Sequence, residues 1–396
     1  MDQSNTSFVN LGIAPGFLEA LGRMKITIPT PIQNKAIPVA MEGKDVVGIA
    51  QSGTGKTIAF GIPMMQRLAQ RRGKGLVLAP TRELAVQVGE MLRSLSHAPG
   101  MEIAVLIGGA PINKQLNQLN RNPRILVATP GRLMDHVERR RNLLSDVNVV
   151  VLDEADRMLD MGFKPQIDRI LQQVPRDRQT MLFSATMPSE IAGIARTYMK
   201  LPVSVEVAPA GTAAETVVQE LFIVMHDSKA QLLRRLLEQY KGSVLLFTRT
   251  KAGARKVKIR VQSMGHNSAE IHSNRSLSQR REALEGFKSG KYRVLVATDV
   301  AARGIDVKGI ELVINYDLPD EAESYVHRIG RTGRAGKPGH AISFAMPDQL
   351  QGVRSIERLI RTTLPVSKHP DMPVTQFSTH YVRYTPRRRH GTHRYR

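Results

Sequence analysis

Short apolar runs rich in Val, Ile and Leu recur along this chain, each followed by a stretch with helical spacing. That alternation constrains the fold more than any other feature. The first series is Gly75–Pro80, Ile103–Ile107, Arg124–Ala128, Asn148–Leu152 and Thr180–Phe183. The second is Leu221–Val224, Ser243–Phe247, Tyr292–Ala297, Leu312–Asn315 and Ala341–Ala345. Runs that are apolar throughout describe strands covered on both faces. Strands that alternate with helices form parallel sheets, so an α/β fold is expected. Between the series lies Ala208-Pro209-Ala210-Gly211-Thr212-Ala213-Ala214-Glu215, whose small residues predict a linker.

A faint internal echo suggests that the two series are copies of one unit. Leu126-Val127-Ala128-Thr129 returns as Leu295-Val296-Ala297-Thr298, 169 residues later, and Thr81-Arg82 returns as Thr248-Arg249, 167 residues later. The expected division is residues 1–208, a linker at 209–216, residues 217–365, and a tail from 366 to 396. In open parallel sheets, ligands gather beyond the carboxyl ends of the strands.

Charge narrows the partner. The chain carries 57 Lys and Arg against 35 Asp and Glu, a net charge of +22, which favours a polyanion. Residues 366–396 hold seven basic residues and one acidic residue, and set Arg387, Arg388, Arg389, Arg394 and Arg396 among Tyr381, Tyr384 and Tyr395. With no apolar periodicity, that segment is expected to be a flexible tail, read either as an RNA-binding arm, which the net positive charge favours, or as a solvated end that aids solubility. The absence of cysteine excludes disulfides, thiolate nucleophiles and Cys-ligated zinc. No apolar run approaches the roughly 20 residues of a membrane span. The first residues have neither a basic nor an apolar leader character. A cytoplasmic protein with no membrane partner is therefore expected.

Two motifs carry nucleotide chemistry. Ala50-Gln51-Ser52-Gly53-Thr54-Gly55-Lys56-Thr57 joins the apolar run Val46–Ile49 to a helical segment. Such a loop turns backbone N–H groups toward phosphates at a helix N-terminus. Ser52, Gly53, Thr54 and Gly55 would cradle ATP, Lys56 would reach the β- and γ-phosphates, and Thr57 would hold Mg²⁺. The run Val149–Leu152 ends in Asp153-Glu154-Ala155-Asp156, placing carboxylates at a strand tip. Asp153 is expected to bind Mg²⁺, largely through water, and Glu154 to orient or deprotonate the attacking water.

With these motifs in place, the chain resembles the DEAD-box family of ATP-dependent RNA helicases over about residues 8–365, with about ten motifs in order. The resemblance implies two tandem RecA-like domains with a cleft between them, followed by a short, basic, disordered tail. It implies that Gln33, in Pro29-Thr30-Pro31-Ile32-Gln33, reads the adenine edge and that Phe8 packs near the base. Lys25-Ile26 replace the Gly and aromatic usual upstream of that motif. RNA contacts are implied for Pro80, Thr81, Arg82, Gly108, Gly109, Thr129, Pro130, Gly131 and Arg132. In the second domain they are implied for Thr248, Arg249, Gln279, Arg280, Thr298 and Arg303, with Asp299 on the ATP ribose. Ser184 and Thr186 would couple hydrolysis to strand separation through Asp156 and His327. Arg331 and Arg334, in His327-Arg328-Ile329-Gly330-Arg331-Thr332-Gly333-Arg334, would act as arginine fingers on the γ-phosphate.

The resulting expectation is an RNA-dependent ATPase that closes on RNA and unwinds short duplexes locally. An ATP-gated RNA clamp with little unwinding stands as the alternative. Ile271-His272-Ser273-Asn274-Arg275-Ser276 and the basic tail look most like the bacterial RhlE type, whose members serve ribosome assembly and RNA degradation.

Overall fold

The computed structural model describes residues 7–51, 53–96, 101–207, 217–299, 307, 309–333 and 339–378. Two parallel sheets, each sandwiched between helices, organise the chain. The first contains β1 (Val46–Ile49), β2 (Lys74–Leu78), β3 (Ile103–Leu106), β4 (Ile125–Ala128), β5 (Val147–Asp153), β6 (Gln179–Ser184) and β7 (Val203–Glu206), in the order β3-β4-β2-β5-β6-β1-β7. The second contains β8 (Val217–Ile223), β9 (Val244–Phe247), β10 (Ser268–Ile271), β11 (Val294–Ala297), β12 (Leu312–Asn315) and β13 (Gly339–Ala345), in the order β10-β11-β9-β12-β13-β8.

Apart from the extra edge strand β7, the two orders are the same. The internal echo therefore falls on equivalent strands. The Leu-Val-Ala-Thr segments finish β4 and β11, and the Thr-Arg pairs follow β2 and β9. All described pairings within the two sheets are parallel.

β5 shows how sequence becomes position. Val149 and Val151 face one core of the first unit, while Val150 and Leu152 face the other. All four are fully buried, each stabilising the fold by roughly 1.5–3 kcal/mol. A strand fixed on both faces cannot slip, so the acidic residues at its tip have fixed coordinates.

Residues 366–378 depart from the expected free tail and pack along the second unit. Val366 bridges to Leu221 of the edge strand β8, Ser367 N–H donates to Leu221 O at 2.8 Å, and Phe377 packs against the core. An open sheet edge and an aromatic anchor hold them there. The linker at 209–216 and the Arg-rich segment 379–396 lie outside the described residues.

Candidate functional site

β1 delivers the chain to the phosphate loop, and α3 (Lys56–Gln70) begins at its end. Gly53 and Gly55 adopt φ of 84° and 88°. At Gly55 a Cβ would come within 2.2 Å of Gln33 Nε2, so no side chain fits. Lys56 is buried, and its ammonium donates to Ala50 O at 2.9 Å across the loop. Thr54 Oγ1 donates to Gln51 O at 2.7 Å. Thr57 is half-buried in the first turn of α3. Ser52 lies outside the described residues.

Gln33, on α2 (Pro31–Met41), has only 1% of its surface exposed. Its Oε1 accepts from Thr30 N–H at 2.9 Å and its Nε2 donates to Gly55 O at 3.0 Å. A carboxamide has two acceptor positions and two N–H groups, so one of each stays unspent for a base edge. Phe8 lies in the first unit's core, 3% exposed and clustered with Leu11 and Phe17.

The carboxylates at the β5 tip are all buried. Among the described residues, Asp153 Oδ1 has no hydrogen-bond partner. Burial pushes the Asp153 pKa up to about 7, with Lys56 opposing and Glu154 reinforcing the rise. Glu154 has φ 53° and ψ 53°, a left-handed conformation in a residue with a Cβ, and its carboxylate meets Arg157 Nη1 at 2.5 Å. Such backbone costs about 1–3 kcal/mol and survives where surroundings over-determine it.

One oxygen of Asp156 gathers three donors: Ala185 N–H at 3.0 Å, Thr186 N–H at 3.0 Å and Thr186 Oγ1 at 3.1 Å. Asp156 N–H donates to Ser184 Oγ at 3.3 Å. The same Oδ2 stands 3.8 Å from His327 Nε2 of the second unit. Burial works to raise the Asp156 pKa, yet the Lys56 and Arg157 cations help to hold it below the ordinary carboxylate value. Burial pushes the His327 imidazole well below its ordinary pKa, with Arg157 adding to the effect.

His327 lies on α13 (Ala322–Ile329), and the second unit's remaining cleft residues surround it. Arg331 is 3% exposed, its Nε donating to His327 O at 3.2 Å. It lines a small cavity with His327, Asp299 and, from the first unit, Arg157. Asp299, expected on a ribose, is engaged by Arg328 in a bidentate pair with contacts of 2.5 and 2.7 Å. Arg328 also donates to Asn315 Oδ1 at 3.0 Å and lies 5.0 Å from the Phe247 ring centroid. Arg303 and Arg334 lie outside the described residues.

The residues expected on RNA cluster at strand ends. Thr81, after Pro80 at the end of β2, caps α4 (Arg82–Leu95) by accepting from Leu84 N–H at 3.2 Å. Gly109 has φ 75°, and a Cβ there would fall 2.1 Å from Arg82 Nη1. Thr129 leads into α6 (Pro130–Arg139), whose first turn holds Gly131 and Arg132. Across the cleft, Thr248 and Thr298 follow β9 and β11, and Arg249 pairs with Asp320 at 3.1 Å.

Gln279 and Arg280 are engaged within the protein. Gln279 completes a capping box with Ser276 at the start of α12 (Leu277–Lys288). Arg280 is buried against Glu83 of the first unit at 2.7 Å. Glu83, Arg157 and Arg328 went unassigned in the sequence although each abuts a motif residue. For Arg157 the spacing of three from Glu154 on a helical segment was the available signal.

Residues 30–194 match the DEAD/DEAH box helicase family and residues 228–336 the helicase conserved C-terminal domain. The ATP-dependent rRNA helicase RRP3 of Debaryomyces hansenii is 44% identical over 93% of this chain and 78% of its own length. The ATP-dependent RNA helicase CshA of Listeria monocytogenes is 42% identical over 92% of this chain and 71% of its own. Among solved structures, Saccharomyces cerevisiae Dbp5 bound to RNA and ADP BeF3 aligns with TM-score 0.83 and 31% identity, covering 92% of this chain and 96% of that one. Mss116p bound to ssRNA and AMP-PNP aligns with TM-score 0.86 and 28% identity, covering 93% and 81%.

Proposed function

Because this chain belongs to the DEAD/DEAH box helicase family, an assignment carried by both of its units, we propose that it is an RNA-dependent ATPase that closes two domains on RNA and separates short duplexes locally, without processive travel. Residues 1–208 and 217–365 form the two moving halves. The carrying observation is Asp156: one carboxylate joins the β5 tip, the Ser184-Ala185-Thr186 turn and His327 of the opposite unit. A change at the phosphates thereby reaches the cleft through a single buried group.

The loop from Gly53 to Thr57 binds the triphosphate, with Lys56 leaving Ala50 O for the β- and γ-phosphates. Gln33 uses its unspent donor and acceptor on adenine. The orphaned, buried Asp153 Oδ1 fits Mg²⁺, which binds through one or two carboxylates plus phosphates and water. Asp153 and Thr57 would hold the ion, which neutralises charge on the transferred phosphoryl group when bound. Glu154 orients the attacking water and takes its proton. Arg331 brings positive charge from the second unit. Both ligands span the cleft, so each raises the affinity for the other. RNA is held through phosphates and 2′-hydroxyls, which gives sequence-tolerant, salt-sensitive binding. The rRNA helicase names of the relatives favour ribosomal precursor RNA as the substrate. No helix among the described residues is long and apolar enough to cross a membrane.

A strand-release assay on a short RNA duplex tests the reading. ATP should release the strand catalytically, and a non-hydrolysable analogue should retain single-stranded RNA without turnover. Retention of DNA as strong as that of RNA, or no release with ATP, contradicts it.

Closure also depends on Arg280. Replacing it with methionine leaves Glu83 buried and unpaired in the closed form, a cost of about 3–5 kcal/mol that the open form escapes by hydrating Glu83. The RNA KM for ATPase should rise by about 10²–10⁴-fold. Glu83→Gln in the same chain should recover much of that loss.

A further inference from the structure

We propose that Gln115 and His136, which lie behind the RNA-facing residues, are positioning residues that set the first unit's RNA grip. The inference rests on the functional reading above and extends it to two side chains outside the motifs. Gln115 lies on α5 (Ile112–Asn120) and is 2% exposed; His136 lies on α6 and is 1% exposed.

Gln115 Nε2 reaches Ile107 O at 2.9 Å and Ala110 O at 3.4 Å, on either side of Gly108-Gly109. Two carbonyl oxygens demand the NH₂ end of the carboxamide, so Oε1 faces His136 Nε2 at 3.0 Å and the imidazole donates there. Arg132 Nη1 donates to Ala110 O at 3.1 Å from the same face of α6, four residues earlier. Arg82 closes the other side of the loop against Gly108 and Gly109. The glycine loop, the α6 N-terminus and Arg82 therefore have their relative placement set by one buried polar chain: His136 to Gln115 to the loop carbonyls.

Packing alone does not call for this pair. Leu133 and Val137 of α6 already fill the adjacent core. A buried amide and imidazole lose hydration that only their hydrogen bonds offset. Gln115 spends its donors on the loop carbonyls and His136 spends its Nε2–H on holding Gln115 in that orientation, and polar networks of this kind specify geometry more than they add stability.

The test is binding of a fluorescent single-stranded RNA to the full chain, with a non-hydrolysable ATP analogue at fixed salt. Melting temperature and analogue affinity without RNA are followed alongside. Gln115→Leu and His136→Leu should each weaken RNA binding by about 10–100-fold, the scale of a buried group losing its partner. The double variant should be no worse than the weaker single one. His136→Gln, which keeps a donor toward Gln115, should stay within about threefold of wild type. Analogue affinity should not move. RNA binding within twofold of wild type in both leucine variants would overturn the inference, as would a parallel loss of analogue affinity. If the leucine variants fail to melt cooperatively, Gln115→Glu decides. It keeps the acceptor for His136 and loses the donor to the loop, so weakened RNA binding supports the inference and unchanged binding overturns it. Wild-type protein that does not retain RNA would overturn the functional reading and this inference together.

Discussion

Replacing Arg331 with alanine should cut RNA-stimulated ATP turnover by about 10³–10⁵-fold, the range for loss of an arginine finger. Arg331 belongs to the second unit, its Nε is fixed on His327 O, and it shares a cavity with Arg157 of the first unit. On the proposed reading its charge reaches the nucleotide only when the units meet, so it would stabilise the transition state without contributing to ATP binding by the first unit. Single-turnover hydrolysis at saturating ATP and RNA measures the loss, and ATP-analogue affinity without RNA should stay unchanged. Arg331→Lys should rescue little, because an ammonium lacks the planar fork that spans two phosphate oxygens. A variant within tenfold of wild type would remove Arg331 from the assigned role.

Glu154→Gln should slow hydrolysis by about 10²–10⁴-fold, the typical contribution of a positioned general base. The substitution keeps the shape of the side chain and its left-handed backbone. It removes the proton acceptor and weakens the pairing with Arg157. ATP and RNA should still close the cleft, but the step that reopens it is lost. RNA dwell time in ATP should therefore lengthen by a similar factor. RNA released as fast as from wild type, measured by competitor chase, would show that opening does not wait on Glu154.

How much of this was legible in the sequence depended on how local each feature is. The phosphate loop and the β5 tip could be read because adjacent residues build their own geometry: two glycines with positive φ, then a helix; four buried apolar residues, then acids. That the two units repeat one plan followed from the echo, since equivalent strands carry equivalent endings. β7 and β10 escaped notice because Val203-Ser204-Val205-Glu206 and Ser268-Ala269-Glu270-Ile271 are short edge strands with polar residues interspersed.

What was missed depends on distant partners. Arg280 finds Glu83 across 197 residues, so its side chain looks like a phosphate ligand until the cleft is assembled. Asp299 reads as a free acid, whereas Arg328, 29 residues on, holds both of its oxygens. His136 and Gln115 look like ordinary helix residues until the fold stacks α6 beside α5. Residues 366–378 were expected to be free because they show no apolar periodicity; the open edge of β8 that receives them was not legible.

The central claim is that RNA-driven closure switches on hydrolysis. Steady-state ATPase with and without single-stranded RNA tests it most directly, with the matching DNA strand and Glu154→Gln as controls. The predicted result is a large stimulation by RNA, little by DNA, and none in the variant. An ATPase rate indifferent to RNA would leave the nucleotide site standing and contradict the coupling on which the account rests.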